Sequence, residues 1–234
     1  MTARTVAAAT VAAAAATQIG PAGSWLPGLR RRVTPWLEGP MDRGNVAVTF
    51  DDGPHPDGTP AVLDELDRLG WTATFFVIGE QVRRYPDVVR ETMRRGHRIG
   101  LHGDRHEYLI RRSPAAAWQD LARSRDVTGE VTGSDVTWWR PPYGVLSGPS
   151  LLAARRLKVR PVLWSAWGRD WRSLATPESV VGDLESGRLD GGTLLLHDSD
   201  VMSAPGSWRT TVAALPLLAD RLRARGLQVQ ALPQ

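Results

Sequence analysis

The sequence predicts an α/β fold, with a mainly parallel sheet, helices packed outside it, and about seven strand–helix units closing into a distorted (β/α) barrel. Two observations carry this expectation. From Val46 to the C-terminus, short β-prone apolar runs alternate with segments whose apolar residues recur at helical spacing. Glycines punctuate the helical segments, as at Gly70 and Gly96. No internal repeat of the solenoid kind competes with this reading.

The elements follow in order. Val46–Phe50 is a strand. Thr59–Leu69 carries Val62, Leu63, Leu66 and Leu69 on one helical face. Thr72–Ile78 is a second strand, and Arg83–Arg95 is a helix interrupted near Pro86, where the ring removes a backbone donor. Arg98–Leu101 is a short strand and Ala115–Val131 a helix. A strand at Thr137–Trp139, a helix at Ser150–Leu157 and a strand at Arg160–Trp164 come next. The remainder reads as a helix at Pro177–Leu184, a strand at Thr193–Leu196, a long helix at Trp208–Arg225 and a last strand at Leu227–Leu232.

A chain of 234 residues can bury one full core. Its 42% hydrophobic and 23% charged residues are those of a globular protein, not a disordered one. The 29 basic and 25 acidic residues give a net charge of +4, carried almost wholly by arginine, since Lys158 is the only lysine. The basic residues are scattered apart from Arg30, Arg31 and Arg32, so no nucleic-acid partner is expected. That cluster reads as solvated linker charge, or as a contact to an anionic surface. The absence of cysteine excludes disulfides, thiolate metal sites and cysteine nucleophiles, leaving His, Asp and Glu to hold any metal.

Three stretches organise the chain. Residues 1–19 begin with Arg4 and a small-residue run from Val6 to Ala16, the pattern of a weak signal peptide or of an N-terminal helix. The run is too short and alanine-rich for a membrane span. The expectation is an exported or cell-envelope-associated protein, with a cytoplasmic one as the alternative. Residues 20–45, rich in Pro, Gly and Arg, form a linker or arm expected to wrap onto the domain through Trp25 and Trp36. Residues 46–234 are the folded domain.

In parallel β/α architectures, catalytic groups sit where strands end and loops begin. Here those points carry Asp51 and Asp52 after the first strand, and His102, with His106 four residues on, after the third. Later strands lead to Arg140, to Asp170 and Trp171, and to His197 with Asp198. Two histidines at i and i+4 can face one point, as metal ligands do. Two adjacent carboxylates that stay charged need a nearby cation, which a metal and Arg140 would supply. His55 and His97 lack such context and read as structural.

Thr49–Pro54, His102–His106, Arg140–Tyr143, Asp170-Trp171 and Leu195–Asp198 together resemble, in order, the five motifs of the polysaccharide deacetylase family, carbohydrate esterase family 4, the NodB homology domain. The resemblance implies a NodB-like barrel over 46–234 and a metal-dependent hydrolase removing acetyl groups from N-acetylated sugars of a polysaccharide. It implies that Asp52, His102 and His106 bind one divalent metal, usually zinc, sometimes cobalt or nickel. Asp51 would be the general base, oriented by Arg140. The Tyr143 backbone amide would hold the oxyanion, and His197, tuned by Asp170, would be the general acid. Leu195 and Trp171 would line the pocket for the acetyl methyl. Among the clustered tryptophans, Trp167 is the candidate for sugar contact, while Trp138 and Trp139, adjacent on one strand, should face opposite ways.

One departure stands out. Gly103 occupies a position where the family usually has Ser or Thr, so the loop between the two histidines must be braced differently, for instance by Asp104, which could also be a further ligand. The partner implied is an acetylated polysaccharide or oligosaccharide, with weak association to the cell envelope. Rival readings are an O-acetyl polysaccharide esterase using the same machinery and a catalytically weak carbohydrate-binding protein.

Overall fold

The computed structural model describes residues 15–234. Most of the expected signal peptide or N-terminal helix, residues 1–14, lies outside the described residues. A parallel sheet forms the centre. Its strands are β1 (Asn45–Asp51), β2 (Thr74–Val77), β3 (Arg98–Leu101), β4 (Trp138–Trp139), β5 (Arg160–Pro161), β6 (Ala166–Trp167), β7 (Gly192–His197) and β8 (Gln228–Gln230). They lie in the order β5-β4-β3-β2-β1-β7-β6, with β8 also pairing to β1. The helices are α1 (Pro27–Val33), α2 (Gly58–Leu69), α3 (Gly79–Arg84), α4 (Pro86–Arg94), α5 (Pro114–Thr132), α6 (Gly148–Arg156), α7 (Pro177–Glu185) and α8 (Trp208–Ala224). The predicted helix over 83–95 is two helices, with Pro86 opening the second.

Side-chain alternation along β1 sorts the molecule into layers. Val46, Val48 and Phe50 pack outward in one cluster with Val62, Leu63 and Leu66 of α2 and Leu215 and Leu218 of α8. The in-between residue Ala47 joins Phe76, Trp138, Val162 and Leu232 in a small cluster inside the curved sheet. Trp138 and Trp139 do fall into different clusters, as period two requires.

The barrel is incomplete between β5 and β6. The expected strand over 160–164 is not continuous, because this segment crosses from one sheet edge to the other. Val162 N–H donates to Trp139 on one side, and Ser165 N–H donates to Thr193 on the other. The backbone between them has no strand partner. Leu163 N–H instead donates to the Leu37 carbonyl at 2.6 Å. The Leu163 carbonyl accepts from Arg140 and the Trp164 carbonyl from Arg30. The arm therefore closes the gap, and it seats through Arg30, Leu37 and Glu38, all buried, while Trp25 and Trp36 stay largely exposed.

Leu37 is 1% exposed and packs with Leu163 and Leu195. Leu37→Ala should cost about 2–5 kcal/mol of stability, read as a lower urea midpoint with an unchanged slope.

Candidate active site

The carboxyl ends of β1, β3 and β7 build the site. Parallel register sets Asp51 beside His197 and Thr49 beside Leu195, so all four side chains face the inside of the sheet. Asp52 is the next residue after β1 and by strand alternation would point away. It does not, because its backbone turns into the left-handed region at φ 74°. Such a conformation costs a non-glycine residue of order 1–3 kcal/mol, and here it brings two successive carboxylates to one side.

Asp52, His102 and His106 converge, with one ligand atom from each lying within 4.8 Å of the others. Asp52 Oδ1 is 3.4 Å from His102 Nε2 and 3.3 Å from His106 Nε2. The same Oδ1 is buried and has no hydrogen-bond partner among the described residues. A buried carboxylate oxygen left unpaired is costly, and a cation between it and the two imidazoles would satisfy it. His102 is oriented for that task. Its Nδ1 lies 2.8 Å from the Arg140 carbonyl, which can only accept, so Nδ1 carries the proton and Nε2 offers its lone pair. Burial pushes His106 down to about 4, leaving it neutral and free to ligate at pH 7. Burial raises Asp52, but the surrounding imidazoles of His102, His106 and His197 outweigh it and hold the carboxyl well below its usual range. Two imidazoles and one carboxylate thus fit a divalent metal and leave further coordination positions open.

Asp51 and Arg140 form the second group. Arg140 is fully buried and donates to Asp51 Oδ1 at 2.6 Å, Thr49 Oγ1 at 2.8 Å and the Leu163 carbonyl at 2.9 Å. Asp51 Oδ2 is left facing His102 at 3.7 Å. His197 and Asp170 form the third. Asp170 accepts from the His197 backbone N–H at 2.7 Å, contacts its Nδ1 at 2.8 Å, and accepts from the Thr211 hydroxyl at 2.7 Å. Burial opposes the charged imidazolium, but Asp170, through its charge and hydrogen bond, dominates and raises His197 to about 9. A raised folded-state value stabilises the fold fully below about pH 6.5, and the contribution is lost as pH rises through about 9.

Tyr143 has φ 59° within a 3-10 turn over Pro142–Gly144. The bonds closing this turn come from the N–H groups of Gly144 and Val145. Its ring stacks on Tyr108, with centroids 3.8 Å apart, and meets His106 edge-on. Leu195, Trp167 and Trp171 line the same cavity as the polar residues, a space of about 380 Å³.

The Gly103 departure has a local cause. Gly103 adopts φ +86°, and a Cβ there would come within 2.9 Å of Asp120 Oδ2. Asp120 braces the loop, accepting from the N–H groups of Asp104 and Arg105 at 3.2 and 3.1 Å. Asp104 also holds the loop, its carboxylate pairing with Arg83 of α3 and Arg123 of α5 rather than joining the cluster of Asp52, His102 and His106. His55 and His97 are structural: His55 Nδ1 accepts from Gly58 N–H at the start of α2, and His97 Nδ1 accepts from Ala73. Trp138 and Trp139 are core.

Sequence reasoning missed Asp120, Thr49, Thr211 and Tyr108. Thr49 carried a signal, since it lies two residues before Asp51 on the same face of a strand. Asp120 and Thr211 lie within helices, and only the packing of those helices on the loops reveals them.

The family model for polysaccharide deacetylase matches residues 38–162. A chitooligosaccharide deacetylase of Azorhizobium caulinodans is 32% identical over 82% of this chain and 95% of its own length. A peptidoglycan-N-acetylglucosamine deacetylase of Bacillus cereus is 35% identical over 81% of this chain and 86% of its own. The solved structure of the Bc1960 peptidoglycan N-acetylglucosamine deacetylase superposes with a TM-score of 0.76 at 26% identity, covering 86% of this chain and 94% of that one.

If Asp170 sets the His197 charge, Asp170→Asn in the chelator-treated protein should drop the His197 titration midpoint from about 9 toward 6.5. Imidazole NMR shifts followed against pH check this.

Proposed function

The chain belongs to the polysaccharide deacetylase family, carbohydrate esterase family 4, and on that premise we propose which residues carry its reaction and on which polymer it acts. It is a metal-dependent hydrolase that removes acetyl groups from N-acetylated sugars. The observation that supports the assignment of roles is the placement of two hydrogen-bonded acid–base pairs, Asp51–Arg140 and His197–Asp170, beside the Asp52, His102 and His106 cluster.

In this reading Asp52, His102 and His106 hold the metal, and zinc suits two imidazole nitrogens and one carboxylate oxygen. When bound, the ion supplies Lewis acidity, polarising the acetyl carbonyl and making water more acidic. Arg140 engages one oxygen of Asp51 and orients the other. The free oxygen takes a proton from the water as it attacks the carbonyl carbon. The Tyr143 N–H donates to the developing oxyanion, a contribution of about 3 kcal/mol. The amide nitrogen cannot leave as an anion. His197, kept charged by Asp170, gives it a proton as the C–N bond breaks, and acetate and a free amine result. Leu195 and Trp171 border the methyl group of the acetyl.

The polymer proposed is an N-acetylglucosamine glycan of the cell envelope, chitin-like or peptidoglycan. The relatives' activities support it, as does the row of indoles beside the acid–base groups. An exported or envelope-associated location accords with such a substrate. Among the described residues, no helix is long and apolar enough to cross a membrane.

The decisive test is acetate release from N-acetylglucosamine oligomers after chelation and stepwise restoration of zinc, cobalt or nickel. Asp51→Asn should lower kcat by about 10²–10⁴-fold with metal content unchanged. His102→Ala should abolish stoichiometric metal uptake, measured by elemental analysis of the dialysed protein. Acetate release that is indifferent to both variants would refute the assignment.

A further inference from the structure

An indole held in a fixed place at the edge of a cavity offers a flat apolar face to whatever the cavity binds. Trp25 is 45% exposed, yet its position is fixed. The buried Arg30 guanidinium donates to the carbonyl of Ser24, the residue before Trp25, at 2.9 Å, and to the Trp164 carbonyl at 2.7 Å. Glu38 pairs with the same guanidinium at 3.3 Å. One buried cation thus ties the arm next to Trp25 to the backbone of the cleft wall. Removing Glu38 would leave the buried Arg30 charge without its anion.

The Trp25 ring meets Trp167 edge-on, with centroids 6.4 Å apart and planes at 84°. Trp167 in turn stacks on Trp164 at 5.7 Å and 19°. The result is a ridge with two aromatic surfaces at nearly right angles. On one side lies the cavity holding Asp51 and His197. On the other lies a second hollow of about 250 Å³, bordered by the same three tryptophans together with Arg31, Arg169 and Asp183. Arg169 sits 4.8 Å from the centre of the Trp167 ring and has the left-handed φ of 49°, a strained conformation for a non-glycine residue. Arg172 pairs with Asp183 at 2.5 Å, and Arg31 lies 3.5 Å from Glu38.

We propose that Trp25 and Trp167 form a sugar-binding ridge that leads a glycan chain out of the catalytic cavity into this second hollow, making the arm a determinant of substrate length. A pyranose ring has an apolar C–H face and a rim of hydroxyls. The face packs on an indole, and the rim finds donors in Arg31 and Arg169 and an acceptor in Asp183. The inference rests on the deacetylase reading for its choice of polymer. It adds a subsite supplied by a residue ahead of the segment 38–162 that the family model matches. A single sugar at the Asp51 and His197 end of the catalytic cavity would leave most of the Trp25 ring at the rim uncovered; an oligomer would span both hollows and cover it.

The test is calorimetric titration of N-acetylglucosamine, its dimer and its pentamer into the Asp51→Asn protein, with and without Trp25→Ala. The pentamer should bind more tightly than the monomer to the parent. Trp25→Ala should weaken the pentamer about tenfold and change the monomer by less than twofold. Trp25→Phe, which keeps a ring, should recover most of the loss, and thermal melts confirm that each variant is folded. Pentamer binding that is absent in the parent, unchanged by Trp25→Ala, or lost equally with the monomer overturns the ridge. Acetate release by the wild-type chain separates the two readings. Length-dependent binding that needs Trp25, without acetate release, would sink the deacetylase assignment and keep the ridge. Acetate release with a KM for the pentamer unmoved by Trp25→Ala would do the reverse.

Discussion

Everything in the site is hung on one buried cation. Arg140 has no contact with water, so its charge must be met inside the protein. It is met by a carboxylate from β1, a hydroxyl from the same strand and a carbonyl from the segment that spans the gap in the sheet. The Phe76 ring lies against its guanidinium face, 4.1 Å away. The Arg140 carbonyl also fixes the tautomer of His102. A single residue therefore sets the orientation of Asp51, the aim of one imidazole of the Asp52, His102 and His106 cluster and the path of the backbone across the open side of the barrel. Lysine could not do this, because it lacks the planar fork that reaches three acceptors in different directions.

Around that centre the structure accepts local strain where chemistry needs it. Asp52 and Tyr143 both adopt left-handed backbone without being glycine. One turns a second carboxylate inward; the other shapes the tight turn from which its ring meets His106. Gly103 shows the same logic with the opposite solution. There the left-handed turn is given to a residue without a Cβ, and the side-chain brace that a hydroxyl could have supplied comes from Asp120 on α5. The cost of such features is met by the tightly packed outer cluster of β1, α2 and α8, which contributes nothing to chemistry and fixes the strands on which it depends.

The gap between β5 and β6 explains why the arm belongs to the molecule. A sheet edge inside a protein leaves backbone groups without partners, and such groups must be satisfied. Leu37 and Arg30 satisfy those of Leu163 and Trp164. Once the arm is held for this structural reason, Trp25 is carried to the rim of the cavity.

By itself, the sequence determined the alternation of strands and helices, the apolar run of β1 and the grouping of Asp51, Asp52, His102, Arg140, Asp170 and His197 at strand ends. These are local or periodic properties: burial period in a strand, helical spacing, and motif residues next to apolar runs. What only the tertiary structure decided were relations between distant segments. The break in the expected 160–164 strand arises because that stretch bridges two edges of the sheet, which no local propensity records. Arg30 reads as one of three linker charges, and its seat is completed by the Trp164 carbonyl, 134 residues away. Asp120 and Thr211 are unremarkable helix residues until α5 and α8 dock and aim them at the loops. Side chains that serve a site through long-range hydrogen bonds leave no period in the sequence, and for that reason folding alone revealed them.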